Sequence, residues 1–252
     1  MWSELAEGYS SPTQRARVLS ETWASANLYC PCCPADSLGT CDTRREAVDF
    51  VCQSCASHFQ LKSSKRVFKN RVVDGAFAAM FRAMQSGRAP HLILLGYDPS
   101  SWYVHELTLV PGFVLTMSCI EKRTPLRSYA RRAGWVGCNI LLESIPKDAR
   151  IAMVSGRRVV PRGEIRSRYA RLKPLEKLDL AQRGWTLDVL NVARAIGRPE
   201  FTLKEVYEFS RQLGNLHPKN RHIHAKIRQQ LQQLRDLGFV GFLGQGHYRL
   251  IG

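Results

Sequence analysis

Acidic side chains are in short supply in this sequence. Against 37 Lys and Arg stand 21 Asp and Glu among 252 residues, a formal net charge of +16. Long apolar runs are missing too: the longest, His91 to Tyr97, has the length of a strand and falls well short of the roughly 18 residues of a membrane span. No membrane partner is expected. Met1 to Tyr9 has neither the positive charge nor the following apolar stretch of a secretion signal, so the chain is expected to work inside the cell, in the cytoplasm. Internal repeats and low-complexity tracts are absent. With 44% hydrophobic and 23% charged residues the composition excludes a disordered chain. What is plentiful is positive charge. Phosphates reward many Lys and Arg through counterion release, which makes nucleic acid the leading partner, with a solvated basic surface as the alternative.

Eight cysteines in a chain without a secretion signal argue for metal before disulfides. Cys30 and Cys33 form one CxxC, Cys52 and Cys55 a second, and 18 residues lie between the pairs. This is the spacing of a four-cysteine zinc site, in which two knuckles complete a tetrahedron and leave no open position. Such a zinc is structural. A redox CxxC is the competing reading, and Cys32 could exchange with Cys33. Cys119 and Cys138 stand in apolar surroundings and read as core thiols.

Two parts are expected, residues 1–177 and 178–252, with the basic stretch Arg162 to Lys177 between them read as a linker or exposed helix. In the second part, Val189, Val192, Ala193 and Ile196 trace a helical stripe. Thr202 and Glu205 form a capping box that opens a helix ending at Gly214. A third helix begins near Asn220, carries Ile223, Ile227, Leu231, Leu234 and Leu237, and stops at Gly238. Phe239 to Phe242 and His247 to Leu250, joined by Gly244-Gln245-Gly246, read as a hairpin. Three helices and a hairpin make a winged helix, whose third helix would enter a major groove. Its polar face and N-terminus hold Asn220, Arg221, His222, His224, Lys226, Arg228, Gln229 and Gln232, which include side chains able to read base edges. Winged helices also serve as protein-protein modules, so this face has a solvated reading as well. Trp185, at a helix start, reads as core.

The chemistry is expected in the first part. Ala47 to Val51 reads as a strand running into the second CxxC, and Ser57 to Lys62 as a strand leaving it, so that the knuckle caps a hairpin. Period-two geometry puts Gln60 and Lys62 on one face, with Asp49 able to approach from the partner strand. An acid followed after ten residues by Gln-x-Lys is a variant of the PD-(D/E)XK nuclease signature. Asp49, Gln60 and the Leu61 carbonyl would hold a hard cation, magnesium, while Lys62 positions the attacking water or neutralises developing charge.

Beyond these motifs, the sequence resembles the DpnI-type methyl-directed restriction endonucleases over nearly its whole length. The resemblance is carried by the paired cysteines, Val48-Asp49-Phe50, Phe59-Gln60-Leu61-Lys62-Ser63, Asp74-Gly75-Ala76, and the run from Arg131 to Ile140, RRAGWVGCNI. In the second part it is carried by Arg183-Gly184-Trp185-Thr186 and Ile227-Arg228-Gln229-Gln230-Leu231. It implies an α/β, restriction-endonuclease-like core with an embedded zinc site, followed by a winged helix. It further implies a bacterial enzyme that cuts duplex DNA within GATC only when the adenine is methylated. The expected protein is a monomer. Enzymes of that family carry a Glu where Gln60 stands, a difference that removes one negative charge from the metal site and should weaken it. Glu21 is a candidate to supply the missing charge. Arg131 and Arg132 are expected on phosphates and Trp135 against an adenine methyl, with a core indole packed among Ala133, Val136 and Ile140 as the other reading. Two rival functions stand beside this one: a zinc and winged-helix regulator that binds without cutting, and a nuclease indifferent to methylation.

Overall fold

The computed structural model describes residues 1, 3–41 and 48–251. Ala47, included in the strand expected before the second CxxC, lies outside the described residues. Helix α1 (Pro12–Asn27) opens on a proline, whose fixed φ suits a first helical turn and whose missing N–H would have had no partner there. It buries Leu19, Ser20 and Ala24. Two short strands follow, β1 (Gly39–Thr40) and β2 (Phe50–Val51), then the longer β3 (His58–Ser64) and β4 (Arg71–Ala76). Helix α2 (Phe77–Gln85) leads into β5 (His91–Tyr97), and β6 (Val104–Val110) returns beside it. Strands β7 (Ile120–Lys122) and β8 (Gly137–Leu141) flank a long loop, and β9 (Ile151–Ser155) and β10 (Arg158–Val159) complete the first part.

These strands make two sheets. The large one has the order β1-β2-β3-β5-β6-β9-β10, and the small one β4-β8-β7. All neighbours are antiparallel except β3 and β5, which run parallel with Gln60 opposite Leu92 and Lys62 opposite Leu94. A parallel pair needs a crossover, and β4 with α2 provides it. Every residue of β5 is buried, as the apolar run His91 to Tyr97 foretells for a central strand. The fold is mixed α/β.

The stretch Arg162 to Lys177 is no linker. It forms α3 (Arg162–Leu172) and a further 3₁₀ turn, with Ile165, Tyr169, Leu172 and Leu175 buried. Its polar residues outnumber these four, which hides the buried stripe from a reading by composition. Helix α4 (Leu180–Ala195) then starts at a complete capping box formed by Asp179 and Gln182.

The Thr202 and Glu205 box is present, but the helix it opens breaks in two: α5 (Leu203–Tyr207) and α6 (Ser210–Leu216). At the break, the Ser210 hydroxyl donates to the Tyr207 carbonyl at 2.5 Å, a local bond that competes with helix continuation. Helix α7 (Ile223–Asp236) ends at Gly238, whose φ of +77° only a residue without Cβ adopts readily. The wing pairs β12 (Val240–Gly244) with β13 (His247–Leu250), and β11 (Glu200–Thr202), not anticipated from sequence, adds a third strand on the far side of β13. Gly244, Gln245 and Gly246 all have positive φ and make the wing's tight turn.

The two parts touch through polar contacts. Buried Asp188 on α4 accepts from Ser118 Oγ at 2.5 Å and contacts His217 Nε2 at 2.8 Å. Arg194 makes a two-pronged pair with Asp148, at 2.9 and 2.7 Å. Trp185 is 6% exposed and stacks on His217, a core residue as its position suggests. No helix among the described residues is long and apolar enough to cross a membrane.

Candidate active site and nucleic-acid interface

The hairpin β2-β3 positions both metal-binding features. At its tip, Ala56 takes a φ of +57° and Cys52 N–H donates to the Ser57 carbonyl, folding the second CxxC into a tight knuckle. The first CxxC sits just after α1, where Cys32 N–H points at Cys30 Sγ, 3.4 Å away. The Sγ atoms of Cys30, Cys33, Cys52 and Cys55 lie within 4.8 Å of one another. Cys30 to Cys55 and Cys33 to Cys52 are each 3.6 Å. A tetrahedron with zinc-sulfur bonds of about 2.3 Å has edges of about 3.8 Å, so the four thiols can hold a zinc ion. Cys33 takes the fourth corner and Cys32 stands outside it. Helix α3 braces this centre: Arg166 donates to the carbonyls of Cys30 and Ala35, and the Tyr29 ring lies under both Arg162 and Arg166. Cys119 and Cys138 are buried far along the chain, and burial raises both thiols, Cys119 to about 12 and Cys138 to about 11.

One step down the same hairpin, α1 and β3 wall a cleft of about 650 Å³ lined by Glu21, Asp49, Gln60, Leu61 and Lys62 among others. Asp49 precedes β2, and its N–H donates to the Phe59 carbonyl, continuing the ladder that pairs Phe50 with Phe59. The Asp49 Oδ2 accepts the Leu61 N–H at 2.7 Å. Burial raises the Asp49 pKa above the ordinary carboxylate value; the Leu61 N–H counters this in part, and the nearby Glu21 charge adds to the rise. An anion under that strain gains from a cation. Glu21 is itself paired with Arg17 at 2.7 Å, one turn earlier on α1.

Gln60 and Lys62 share a face of β3, as the alternation requires. Both reach Asp74 on β4: Gln60 Nε2 lies 3.2 Å and Lys62 Nζ 2.5 Å from the same oxygen, Oδ1. Gln60 is 6% exposed, and its remaining polar atom, Oε1, is buried without a partner. An orphaned buried oxygen and a carboxylate under strain, on two residues that line one cleft, make a donor set that suits a hard cation. Asp49 and Gln60 are the residues placed to hold one.

The residues expected at DNA fall on two surfaces. Arg131 and Arg132 are exposed in the loop between β7 and β8. Trp135 is half-buried: its ring lies against Gly137, where a Cβ would come within 2.8 Å of it, and the Arg132 guanidinium covers it at 4.9 Å. Ala133 is exposed, so the indole is not packed in a core as that reading required. On the second surface, Arg221, His222, His224 and Arg228 line one shallow groove with Ser210 and Arg211. The Tyr207 ring stacks on His224 at 4.0 Å, and its hydroxyl accepts from Arg228 at 2.7 Å. Asn220 is not among them. It is half-buried, lines a different cavity beside Trp185 and His217, and spends its Oδ1 on the His222 N–H.

Residues 1–178 match the family model DpnI, described as the Dam-replacing family, and residues 181–250 match the Dam-replacing HTH domain. The chain belongs to the Dam-replacing family. Membership makes it a methylation-dependent restriction enzyme, and the helix-turn-helix domain makes it a DNA-binding protein.

Within this Dam-replacing chain, one neighbour of Gln60 and Lys62 lies outside the acid and Gln-x-Lys pattern. Asp74 lies on another sheet, 12 residues past Lys62, and nothing in the spacing of strands predicts that β4 folds over β3. The motif Asp74-Gly75-Ala76 was visible; its contact was not.

Proposed function

We propose that this Dam-replacing enzyme hydrolyses phosphodiesters of duplex DNA at GATC sites whose adenine is methylated, with magnesium as cofactor. The observation that carries the proposal is the cleft in which the Asp49 carboxylate and the orphaned Gln60 oxygen lie beside Lys62. Asp49, Gln60 and the Leu61 carbonyl would hold the ion. When bound, magnesium polarises the scissile phosphate and lowers the pKa of an attacking water. The Lys62 ammonium orients that water or offsets charge developing on the phosphate. Residues 1–177 form the nuclease part and 178–252 the winged-helix part, and the working unit is a monomer.

Arg131 and Arg132 contact phosphates and hold the duplex in register, while the face of Trp135 supplies apolar surface for the adenine methyl. Arg221, His222, His224 and Arg228 lie where the leading end of α7 meets a major groove. Zinc held by the four cysteines fixes the hairpin and takes no part in the chemistry.

Two variants test the site. Lys62→Ala should abolish cutting at every magnesium concentration while leaving DNA binding intact, because it removes a group needed in the chemical step. Gln60→Glu adds charge where the cation sits and should lower the half-saturating magnesium concentration, with sequence and methyl preference unchanged. Near-normal cutting by Lys62→Ala together with an unmoved magnesium requirement in Gln60→Glu would remove these residues from the active site. Wild-type protein that binds methylated duplex and never cuts would favour the regulator, a reading to which the neutral Gln60 lends some support.

A further inference from the structure

Asp74 stands in the small sheet, opposite Cys138, with its side chain 2% exposed. A carboxylate taken this far out of water is tolerated only when its charge is answered. Two groups of the large sheet answer it, and both do so at Oδ1: the Lys62 ammonium and the Gln60 amide nitrogen. Asp74 therefore sits behind the two β3 side chains that face the cleft.

Each contact has a directional consequence. A carboxylate accepts and never donates, so the Gln60 amide can face Asp74 only with its nitrogen. That leaves Oε1 turned away and without a partner. Turned over, the amide would set its carbonyl oxygen against the Asp74 oxygen. Lys62, in turn, has three N–H donors, of which the Asp74 bond uses one, and its side chain stays 20% exposed with the others free for the cleft. The charge that Gln60 lacks is present one bond behind it.

We propose that Asp74 is a positioning residue: its carboxylate selects the Gln60 rotamer that offers oxygen to a cation and anchors the Lys62 ammonium. It acts through these two side chains. The inference rests on the reading of Asp49, Gln60 and Lys62 as the active site.

Asp74→Asn tests it. The asparagine oxygen can still receive both Lys62 and the Gln60 nitrogen, which share Oδ1. The charge that anchors Lys62 is gone, however, and the amide turned over can donate to Gln60 Oε1, so the rotamer is no longer forced. Calcium, titrated calorimetrically into the complex of full-length protein with methylated duplex, should bind on the order of 10- to 100-fold more weakly. With magnesium, kcat should fall while the KM for DNA stays. Combining Asp74→Asn with Gln60→Glu places a carboxylate toward the cleft and an amide behind it, and should return calcium affinity to the parent value or above.

Asp74→Asn that unfolds at a lower temperature yet keeps parental calcium affinity and kcat would reduce Asp74 to a structural role and overturn the proposal. If Asp74→Asn does not fold, the double variant decides: folded and binding calcium supports the proposal, folded without calcium binding overturns it. Failure of the underlying reading looks different, since Lys62→Ala would then cut normally.

Discussion

His91 shows how one side chain's surroundings become a pH dependence. It opens the buried strand β5 and is 8% exposed, ringed by Phe59, Phe113 and Tyr169. Its Nδ1 accepts from the Gly112 N–H at 2.8 Å, so the proton sits on Nε2, 3.3 Å from the Tyr169 hydroxyl. Burial pushes its pKa down from 6.5 to about 4. Between those values the unfolded chain holds a proton that the folded one refuses. Stability from this group is complete above about pH 6.5 and is lost as pH falls toward 4, a difference of roughly 3 kcal/mol. Denaturant unfolding at pH 7 and pH 4.5 measures it. His91→Phe should flatten the fall in stability between the two, whatever its absolute stability; equal slopes in parent and variant would show that His91 does not titrate this way. Asp49 carries the opposite shift. Its raised pKa means that protons compete with a cation there, so magnesium should be needed at higher concentration as pH drops.

Among elements, the hairpin β2-β3 carries both proposed metal sites, because the knuckle at its tip and the cleft at its base share one register. The ladder bonds from Asp49 to Phe59 and from Cys52 to Ser57 fix where Asp49 meets β3. Zinc energy is folding energy, on the order of 10 kcal/mol for a small four-ligand site. Cys52→Ser should therefore lose its zinc and unfold the hairpin, which thermal unfolding and metal content together report. A variant that keeps both zinc and the parental midpoint would show that Cys52 is not a ligand. The knuckles, the hairpin and the wing were legible in the sequence because each rests on local chemistry: CxxC spacing, period-two alternation, and Gly244-Gln245-Gly246. Three features were not. Helix α3 conceals its buried stripe in basic residues. The single helix read after Thr202 is divided by the Ser210 hydroxyl. The side chain of Asn220, expected at DNA, also closes the turn before α7 by accepting from the His222 N–H. The α3 stripe of Ile165, Tyr169 and Leu172 keeps the helical period and is masked by its basic neighbours, whereas the other two rest on side-chain contacts outside any helical or strand period, which leave no trace in the pattern.

At the scale of the molecule, the residues proposed to meet DNA lie on two basic surfaces. One is the loop of Arg131, Arg132 and Trp135 on the small sheet, and the other is the groove at the start of α7. The buried Asp188 bridge and the Arg194 pair with Asp148 join the helix-turn-helix part to the rest. The cleft stands on the large sheet, and Asp74 ties it to the sheet that carries Trp135. The activity proposed for this Dam-replacing chain is magnesium-dependent cutting that requires a methyl group on adenine. The most direct measurement uses one plasmid prepared twice, from a host that methylates adenine in GATC and from one that does not, each incubated with the protein with and without magnesium. Cutting of the methylated plasmid alone, and only with magnesium, is the predicted result. Cutting of both plasmids, or a mobility shift of the methylated plasmid that never proceeds to cleavage, would contradict it.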